Sequence, residues 1–185
     1  AILRCDSELS VAERELIAGL IETEQRLLQM AEKRAIAVTL LRPTLIYGGP
    51  VDGNISQVRN WLGSRRWAPV AGKGLRQPVH AEDLAGLIVG LLARDHSGAE
   101  VFDLGGGETL PYPDFIRRIA SSAGVNPVLV PAPAMLANCA LRLAHGLGRM
   151  HGISPAMVTR QRMDLIVDDS DARRKLGWHP RPFRP

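Results

Sequence analysis

The sequence predicts an α/β fold built on a parallel sheet, and three observations lead to that prediction. A long amphipathic helical pattern comes first, an apolar run with several β-branched residues follows at residues 36–46, and short apolar segments then alternate with further helical patterns. Continuous apolar runs are typical of parallel strands that are buried on both faces. Because a helix followed by such a strand is half of a βαβ unit, we expect helices packed on a parallel sheet.

Length and composition set the limits of this interpretation. The chain has 185 residues, of which 45% are hydrophobic and 23% charged, which is enough to bury a core in one globular unit or in one domain with an appendage. The net charge is +4, but the basic residues are scattered and only 4% of residues are aromatic. A nucleic-acid footprint needs a basic stripe with aromatic partners, so we do not expect a nucleic-acid partner.

Neither a membrane span nor a metal site is expected. The longest apolar stretch, residues 131–148, is interrupted by polar and charged side chains and reads as a helix docked on the surface. Cys5 and Cys139 lie far apart, with no Cys-x-x-Cys motif and no histidine at ligand spacing. This pattern indicates neither a disulfide framework nor a zinc site, and a cytoplasmic location is the simplest prediction.

The first helix and the first strand are the best-defined elements. Ser10 and Glu13 have the spacing of a capping box, and a stripe of leucines at helical spacing continues to about residue 34. The apolar run at 36–46 then predicts the buried strand, which ends in a turn at Pro43 and Gly48.

Several shorter elements follow. We predict a loop at 48–53, a short helix Ile55–Leu62 that ends at Gly63, and a helix Leu84–Ala93 opened by Glu82 or Asp83. The later elements predicted are a strand Val101–Leu104, a helix from Pro113 that stops at Gly124, helices Met135–Leu147 and Ser154–Met163, and a proline-rich tail in which Trp178 anchors the chain.

Three blocks of the sequence together resemble one enzyme family. They are Val38–Gly48 with its Arg-Pro-Thr, Leu75–Ala85 with its Arg-Gln-Pro-Val-His, and Phe102–Glu108 with three successive glycines. In order and spacing they resemble the C-terminal half of the extended short-chain dehydrogenases, the NAD-dependent epimerase/dehydratase family that acts on nucleotide sugars. The resemblance covers about Ile36 to Phe183.

This resemblance implies a fold and a domain organisation. Residues 1–48 would be the C-terminal part of a Rossmann-like parallel sheet, the remnant of a dinucleotide-binding domain. Residues 49–185 would form a small mixed α/β substrate-binding domain, interleaved with the sheet. The whole protein would be an NAD(P)-dependent epimerase, dehydratase or reductase of a nucleotide-linked sugar, with no metal.

The resemblance also implies site residues. The segment after the Arg-Pro strand packs against the nicotinamide in the family, and the matching cofactor-binding residues here are Pro43, Thr44, Leu45 and Ile46. Arg76 matches an arginine that grips the sugar-nucleotide diphosphate, for which a planar guanidinium is suited. Asn54 matches an amide that contacts the nucleotide-sugar. The alternatives are a proline that ends a strand, a surface arginine and an asparagine that caps a helix or turn.

The chain departs from the family at its proton shuttle. Short-chain dehydrogenases use a Tyr and a Lys four residues later on one helix face, where the lysine lowers the pKa of the phenol. The sequence has two tyrosines, Tyr47 and Tyr112, and an aliphatic residue stands four positions after each. Leu16 and Leu20 occupy roughly the positions of the dyad. No catalytic residue is therefore assigned, and whether the protein is an enzyme stays open.

The cofactor site is also incomplete in this sequence. Gly105–Gly107 follows a strand, but it lies two-thirds along the chain, where turn glycines are expected rather than a phosphate loop. NAD or NADP is therefore expected only in the full-length protein. The rival interpretation is a non-catalytic scaffold or complex subunit that binds NAD(P) or a nucleotide.

Expectations for the remaining residues are structural. His80 is expected to be a hydrogen-bonded core histidine and Glu108 an exposed turn carboxylate. The expected partners are a nucleotide-sugar and a second copy of the chain, through self-association or a homodimer on the long N-terminal helix, where an exposed apolar patch is predicted.

Overall fold

The computed structural model describes residues 11–49, 52–65, 67–132 and 160–185, and the architecture below is that of these residues. The predicted helix Met135–Leu147, most of the predicted helix Ser154–Met163, and Ser10 of the capping box lie outside the described residues.

The N-terminal helix and the strand after it form as predicted. Helix α1 spans Val11–Arg34 and strand β1 spans Val38–Pro43, with Ala35 at a φ of +50° in the turn between them. The expectation that this strand is buried on both faces was wrong, since each of its six residues is only half-buried. Its partner in the described part of the chain is one strand, β6 at Ala99–Leu104, so its other edge has no strand beside it there.

The remaining elements are short. In chain order they are β2 (Ile46–Tyr47), α2 (Gly53–Arg65), β3 (Trp67–Val70), β4 (Leu75–Arg76), β5 (Val79–His80), α3 (Ala81–Leu92), β6, β7 (Leu110–Pro111), α4 (Tyr112–Ser122), β8 (Val128–Pro131) and α5 (Ser170–Leu176). Helix α2 continues past Gly63, where the sequence predicted its end. Helix α4 begins and ends as predicted, with Gly124 at a φ of +69° just after it.

Four strand pairs organise these elements. The pairs β1–β6, β2–β5 and β3–β8 are parallel, and β4–β7 is antiparallel. The largest pair, β1–β6, runs in register from Val38 opposite Ala99 to Pro43 opposite Leu104. The parallel pairs confirm the predicted mixed α/β class, whereas the predicted domain boundary at residue 48 stays a prediction.

Two apolar clusters form the core. The larger lies between α2 and α4 and includes Tyr47, Leu62, Ile119 and Phe183, none of them more than 1% exposed. The smaller packs α3 and α5 on β6 around Phe102 and Trp178. Both clusters include residues of the C-terminal tail, so the tail belongs to the core of the fold.

Candidate functional site

The carboxyl ends of β1 and β6 lie side by side. Pro43 and Leu104 are paired at the end of the two strands, and the Thr44 N–H donates to the Leu104 carbonyl at 2.9 Å. In open α/β sheets, ligands bind in the crevice outside the carboxyl ends of the strands. The predicted cofactor-binding segment Pro43–Ile46 therefore begins at the edge where a ligand is expected.

Hydrogen bonds to residues 77–79 also fix the loop that follows β1. The Thr44 hydroxyl donates to the Gln77 carbonyl, and the Val79 N–H donates to the Leu45 carbonyl at 2.8 Å. Pro43, Thr44 and Leu45 are half-buried, while Ile46 is 40% exposed. The loop is thus held by hydrogen bonds from its backbone and from the Thr44 hydroxyl. It exposes one aliphatic side chain, that of Ile46.

The three glycines after β6 are required by close packing. A Cβ on Gly105 would lie 2.2 Å from the Gln77 side chain, one on Gly106 would lie 1.8 Å from the Pro78 carbonyl oxygen, and one on Gly107 would lie 2.3 Å from that of Pro180. The space beside these glycines is filled by the Gln77 side chain and by the backbone at Pro78 and Pro180. The structure therefore agrees with the turn interpretation.

Gln77 is a buried link that the sequence interpretation missed. Its Oε1 accepts from the Val167 N–H at 3.1 Å, its Nε2 donates to the Gly106 carbonyl at 3.5 Å, and its own carbonyl accepts from Thr44 and from the Gly106 N–H. Through its side chain and its backbone carbonyl, this one residue joins the segments that follow β1 and β6 to the segment before α5. The sequence shows only a polar residue between Arg76 and an apolar strand. That pattern does not tell a buried glutamine from an exposed one.

The structure places Arg76 inside the protein, where it is 5% exposed. Its Nη1 donates to the carbonyls of Leu75 and Met163, each at 2.8 Å, and its Nη2 donates to the carbonyl of Arg160. The guanidinium also lies over the Tyr112 ring, 5.1 Å from its centroid. Arg76 is therefore anchored by the segment that starts at Arg160 and is no ordinary surface arginine.

The surroundings of Arg76 carry both signs of charge. Burial is the main cause that lowers the pKa of Arg76. Tyr112 and Asp164 raise this pKa, and the nearby Arg160 lowers it slightly. The Arg160 guanidinium pairs with Glu13 at the start of α1, and its Nε is buried with no hydrogen-bond partner among the described residues. The charge of Arg160 therefore acts on Arg76 only weakly, and the Arg160 side chain is itself partly exposed.

Asn54 lies in the first turn of α2, and its side chain lies outside the described part of the structure. Its predicted contact with a nucleotide-sugar therefore stays a prediction.

Neither tyrosine has the environment of a proton shuttle. Tyr47 is 1% exposed, and its hydroxyl donates to the Pro182 carbonyl at 3.4 Å and accepts from the Arg184 N–H at 3.1 Å. Burial raises the pKa of Tyr47, and burial also raises that of Tyr112. At the dyad positions on α1, Leu16 and Leu20 are exposed.

His80 is the structural histidine that the sequence predicted. Its Nδ1 accepts from the Glu82 N–H at 3.2 Å, so His80, rather than Glu82 or Asp83, caps α3. Its ring meets that of Tyr47 at a centroid distance of 4.9 Å. Gly48, at a φ of +82°, packs so closely on the ring that a Cβ would lie 2.4 Å from Nε2.

Glu108 differs from its prediction as an exposed carboxylate. It forms a two-point ion pair with Arg118, at 2.5 and 2.8 Å, and accepts from the Phe183 N–H at 3.3 Å. The bond to Arg118 holds the pKa of Glu108 below its usual range. The partners come from α4 and the tail, so the sequence context of Glu108 did not reveal them.

The described residues also form a groove of about 440 Å³ between α3 and α5, and none of the predicted site residues lines it. Within the described ranges, no cluster of His, Cys, Asp and Glu is arranged to hold a metal ion. No helix in the described part of the chain combines the length and the apolar character that crossing a bilayer requires.

Known proteins resemble this chain in sequence and in fold. UDP-glucose 4-epimerase of Vibrio cholerae is 24% identical over 161 residues, which are 86% of this chain and 47% of that protein. The UDP-glucose 4-epimerase of Bifidobacterium longum, crystallised with NAD+ and UDP, is 19% identical with a TM-score of 0.58, covering 88% of this chain and 49% of that one. No protein-family model matches the chain.

A further solved structure agrees with these. The UDP-glucose 4-epimerase of Stenotrophomonas maltophila, with bound NAD and formylated UDP-arabinopyranose, has a TM-score of 0.59 at 21% identity, with 88% of this chain and 49% of that chain covered. At these identities the likeness shows the fold, a Rossmann-like α/β fold shared with epimerases. The chain spans about half the length of the relatives it matches.

Proposed function

We propose that this chain is the substrate-side part of an NAD(P)-dependent nucleotide-sugar epimerase- or dehydratase-like protein, in which Arg76 binds the diphosphate of the nucleotide-sugar. The observation that carries the proposal is the buried guanidinium of Arg76 in β4, which three backbone carbonyls hold in place. The fold shared with UDP-glucose 4-epimerases supports the choice of ligand.

Arg76 has N–H donors left over that are available to an anion. A guanidinium has five N–H donors, and in the described residues Arg76 uses three of them on protein carbonyls. Those carbonyls hold the planar group rigidly, which reduces the entropy lost when a ligand binds. The lowered pKa records the cost of burying a cation beside Arg160, and a diphosphate would offset that cost by supplying negative charge.

The cofactor would contact a different part of the site from Arg76. In the proposal, the backbone of Pro43–Ile46 lines the nicotinamide, since hydrogen bonds to Gln77 and Leu104 already fix this loop. Asn54, at the start of α2, would contact the nucleotide-sugar.

The described residues fit a dinucleotide only in part. The glycines at 105–107 pack against the Gln77, Pro78 and Pro180 segments and leave no cradle for a pyrophosphate. Pro43–Ile46 fits one wall of a nicotinamide site, and the Gly-rich turn between a strand and a helix N-terminus that binds a pyrophosphate is missing from the sequence. We therefore assign no catalytic step that passes through the cofactor.

Calorimetric titration of the chain with UDP-glucose, and separately with NAD, tests the proposal. Arg76→Lys keeps the charge but removes the planar fork, and we expect it to weaken UDP-glucose binding at least about tenfold. Arg42→Lys is the matched control, because Arg42 pairs with Glu24 of α1 and shares no partner with Arg76. This variant should leave the affinity for UDP-glucose unchanged. Absence of UDP-glucose binding, or equal affinity of the Arg76→Lys variant when folded, would refute the role of Arg76.

A second candidate function is a non-catalytic scaffold that binds a nucleotide or NAD(P). The observation that favours it is that neither tyrosine suits a proton shuttle: leucines stand at the dyad positions, and burial raises the pKa of both tyrosines. Ligand binding without turnover of cofactor by the full-length protein would support this candidate. Epimerisation of a sugar nucleotide by that protein would exclude it.

A further inference from the structure

The groove of about 440 Å³ runs along one side of α3, and the end of α5 with the residues after it forms the opposite wall. Small-molecule sites in proteins have volumes of about 300–1,000 Å³, so the groove has room for a small ligand. Its uncharged lining consists of Gly86, Leu87, Gly90 and Leu91 on α3, with Leu176 and Trp178 opposite.

Two glycines keep the groove open. Gly86 and Gly90 lie within α3, where glycine is about 1 kcal/mol less favourable than alanine. A Cβ at either position would meet no atom within 4 Å, and neither glycine has a positive φ. Packing and backbone conformation in the described part of the chain therefore do not require glycine here. A side chain at either position would instead occupy the groove.

The floor of the groove is apolar. Leu87 and Leu176 are half-buried and pack on the smaller core cluster, to which the buried Trp178 belongs. Leu91, one turn farther along α3, is also half-buried. A ligand that covers these side chains removes apolar surface from water, which contributes about 25 cal/mol per Å². An unbranched apolar chain that lies along α3 would gain this contribution.

The end of the groove near the start of β6 is positively charged. Arg94 pairs there with Glu100 at 2.6 Å. The hydrogen bond from Arg94 holds the pKa of Glu100 below its usual range, and the charge of Lys175 lowers it slightly further, so the Lys175 ammonium lies near this pair. Lys175 has an exposed ion pair of 3.9 Å with Asp171, which also pairs more closely with Arg174. Lys175 is therefore less neutralised than Arg94.

The opposite end of the groove has no such excess of positive charge. Asp83 lines the groove there, and its carboxylate accepts from the Arg181 Nε at 2.8 Å and from the Arg181 N–H at 2.9 Å. Arg181 also pairs with Glu82 at 3.0 Å, so two carboxylates share one guanidinium. The charges along the groove therefore favour a ligand with its negative group at Lys175 and an uncharged remainder.

We propose that this groove binds an unbranched aliphatic carboxylate, whose carboxylate group contacts Lys175 and whose alkyl chain lies over Gly86, Gly90 and Leu91. One carboxylate matches the single weakly paired cation, and the apolar floor matches a chain without polar groups. The Lys175 ammonium lies 5.9 Å from the centroid of the buried Phe102 ring, a cation–π distance that keeps it beside the groove. This site and the proposed Arg76 site share no residue, so either can be present without the other.

Heteronuclear NMR titration of the full 185-residue chain with octanoate tests the groove. We expect the amide signals of Gly86 and Gly90 to shift as octanoate is added. We expect Gly90→Leu to raise the dissociation constant at least about tenfold, because its side chain fills the groove. Gly63→Leu is the matched control, since Gly63 is an exposed glycine of α2 with no atom within 4 Å of an added Cβ. Both substitutions favour the helix, so both variants should fold.

Three outcomes of this titration overturn the proposal. One is that octanoate leaves both glycine signals of the wild-type chain unchanged. Another is that folded Gly90→Leu binds octanoate as tightly as the wild-type chain. The third is an equal loss of affinity in Gly63→Leu. Gly86→Leu is a second filling variant with the same expected loss, and thermal unfolding verifies that each variant is folded.

A second experiment tests recognition of the carboxylate group. Lys175→Gln should weaken octanoate binding about two- to fivefold, the effect of one exposed ion pair, and should leave the binding of 1-octanol unchanged. Arg174→Gln is the matched control, since Arg174 is an exposed neighbour on α5 that does not line the groove. Octanol that binds the wild-type chain as tightly as octanoate overturns the role of the carboxylate, and so does the same octanoate affinity in Lys175→Gln and Arg174→Gln.

Discussion

Glu108 and Arg118 connect the C-terminal tail to helix α4. The two carboxylate oxygens meet the two Nη groups at 2.5 and 2.8 Å, the Phe183 N–H donates to the same carboxylate, and Arg118 donates to the Phe183 carbonyl at 3.1 Å. Phe183 itself is fully buried in the larger cluster. This ion pair therefore holds the tail over the core.

Glu108→Gln should destabilise the fold by about 1–2 kcal/mol at neutral pH, because it breaks a charge-assisted pair while Arg118 remains. The pKa of Glu108 is lowered in the folded state, so its contribution is present above the ordinary pKa of a glutamate and is lost as the pH falls through the folded value. Denaturant unfolding of the wild-type and variant chains should therefore show a difference that shrinks as the pH falls below the ordinary pKa of a glutamate.

Asp114→Asn is the control for this pair. Asp114 bonds Arg117 at 2.6 Å on the exposed surface of the same helix. Such pairs contribute about 0–1 kcal/mol, so this variant should unfold like the wild-type chain. A pH-independent loss of stability in Glu108→Gln would contradict the electrostatic explanation.

Gly106→Ala should destabilise the fold by at least about 2 kcal/mol, because the new methyl group would lie 1.8 Å from the Pro78 carbonyl oxygen and the loops would have to separate. Gly86→Ala is the matched control. It lies within α3 with no atom within 4 Å of the added Cβ, and helix propensity predicts a gain of up to about 1 kcal/mol. Thermal unfolding of the two variants should shift the melting temperature in opposite directions.

The sequence predicted local elements better than long-range contacts. The extent of helix α1, to about residue 34, follows from the periodicity of its apolar residues, a pattern that acts within a few residues. The half-buried state of β1 depends on which strands lie beside it, and residues 38–43 carry no information about that.

In the candidate site, too, the long-range contacts could not be predicted from the sequence. Resemblance indicated Arg76, but its anchoring by the segment beginning at Arg160 joins positions more than eighty residues apart. Gln77 was missed for the same reason, because its partners come from three separate segments and a buried amide has no local signature.

Trp178→Phe should cost about 1–3 kcal/mol, because the Trp178 Nε1 donates to the Gly105 carbonyl at 2.8 Å in a buried environment and phenylalanine offers no donor. Trp61→Phe supplies the comparison. It removes a similar bond, from Nε1 to the Trp67 carbonyl at 3.1 Å, at an exposed place where water replaces it. Urea unfolding should therefore separate the two variants. Equal losses would mean that the Trp178 bond contributes no more than ring packing.

The pKa values of the two tyrosines test whether either of them suits the role of a proton shuttle. Burial raises the pKa of both tyrosines above the ordinary value of 10.0, so each favours the protonated phenol in the folded state. Their contribution to stability is complete below that ordinary value and is lost as the pH rises through the folded values. Alkaline titration of phenolate absorbance should show both groups ionising only above the ordinary value, and Tyr47→Phe should remove one of the two. A tyrosine that ionises near neutral pH in the folded chain would restore a candidate proton shuttle and would argue against the scaffold interpretation.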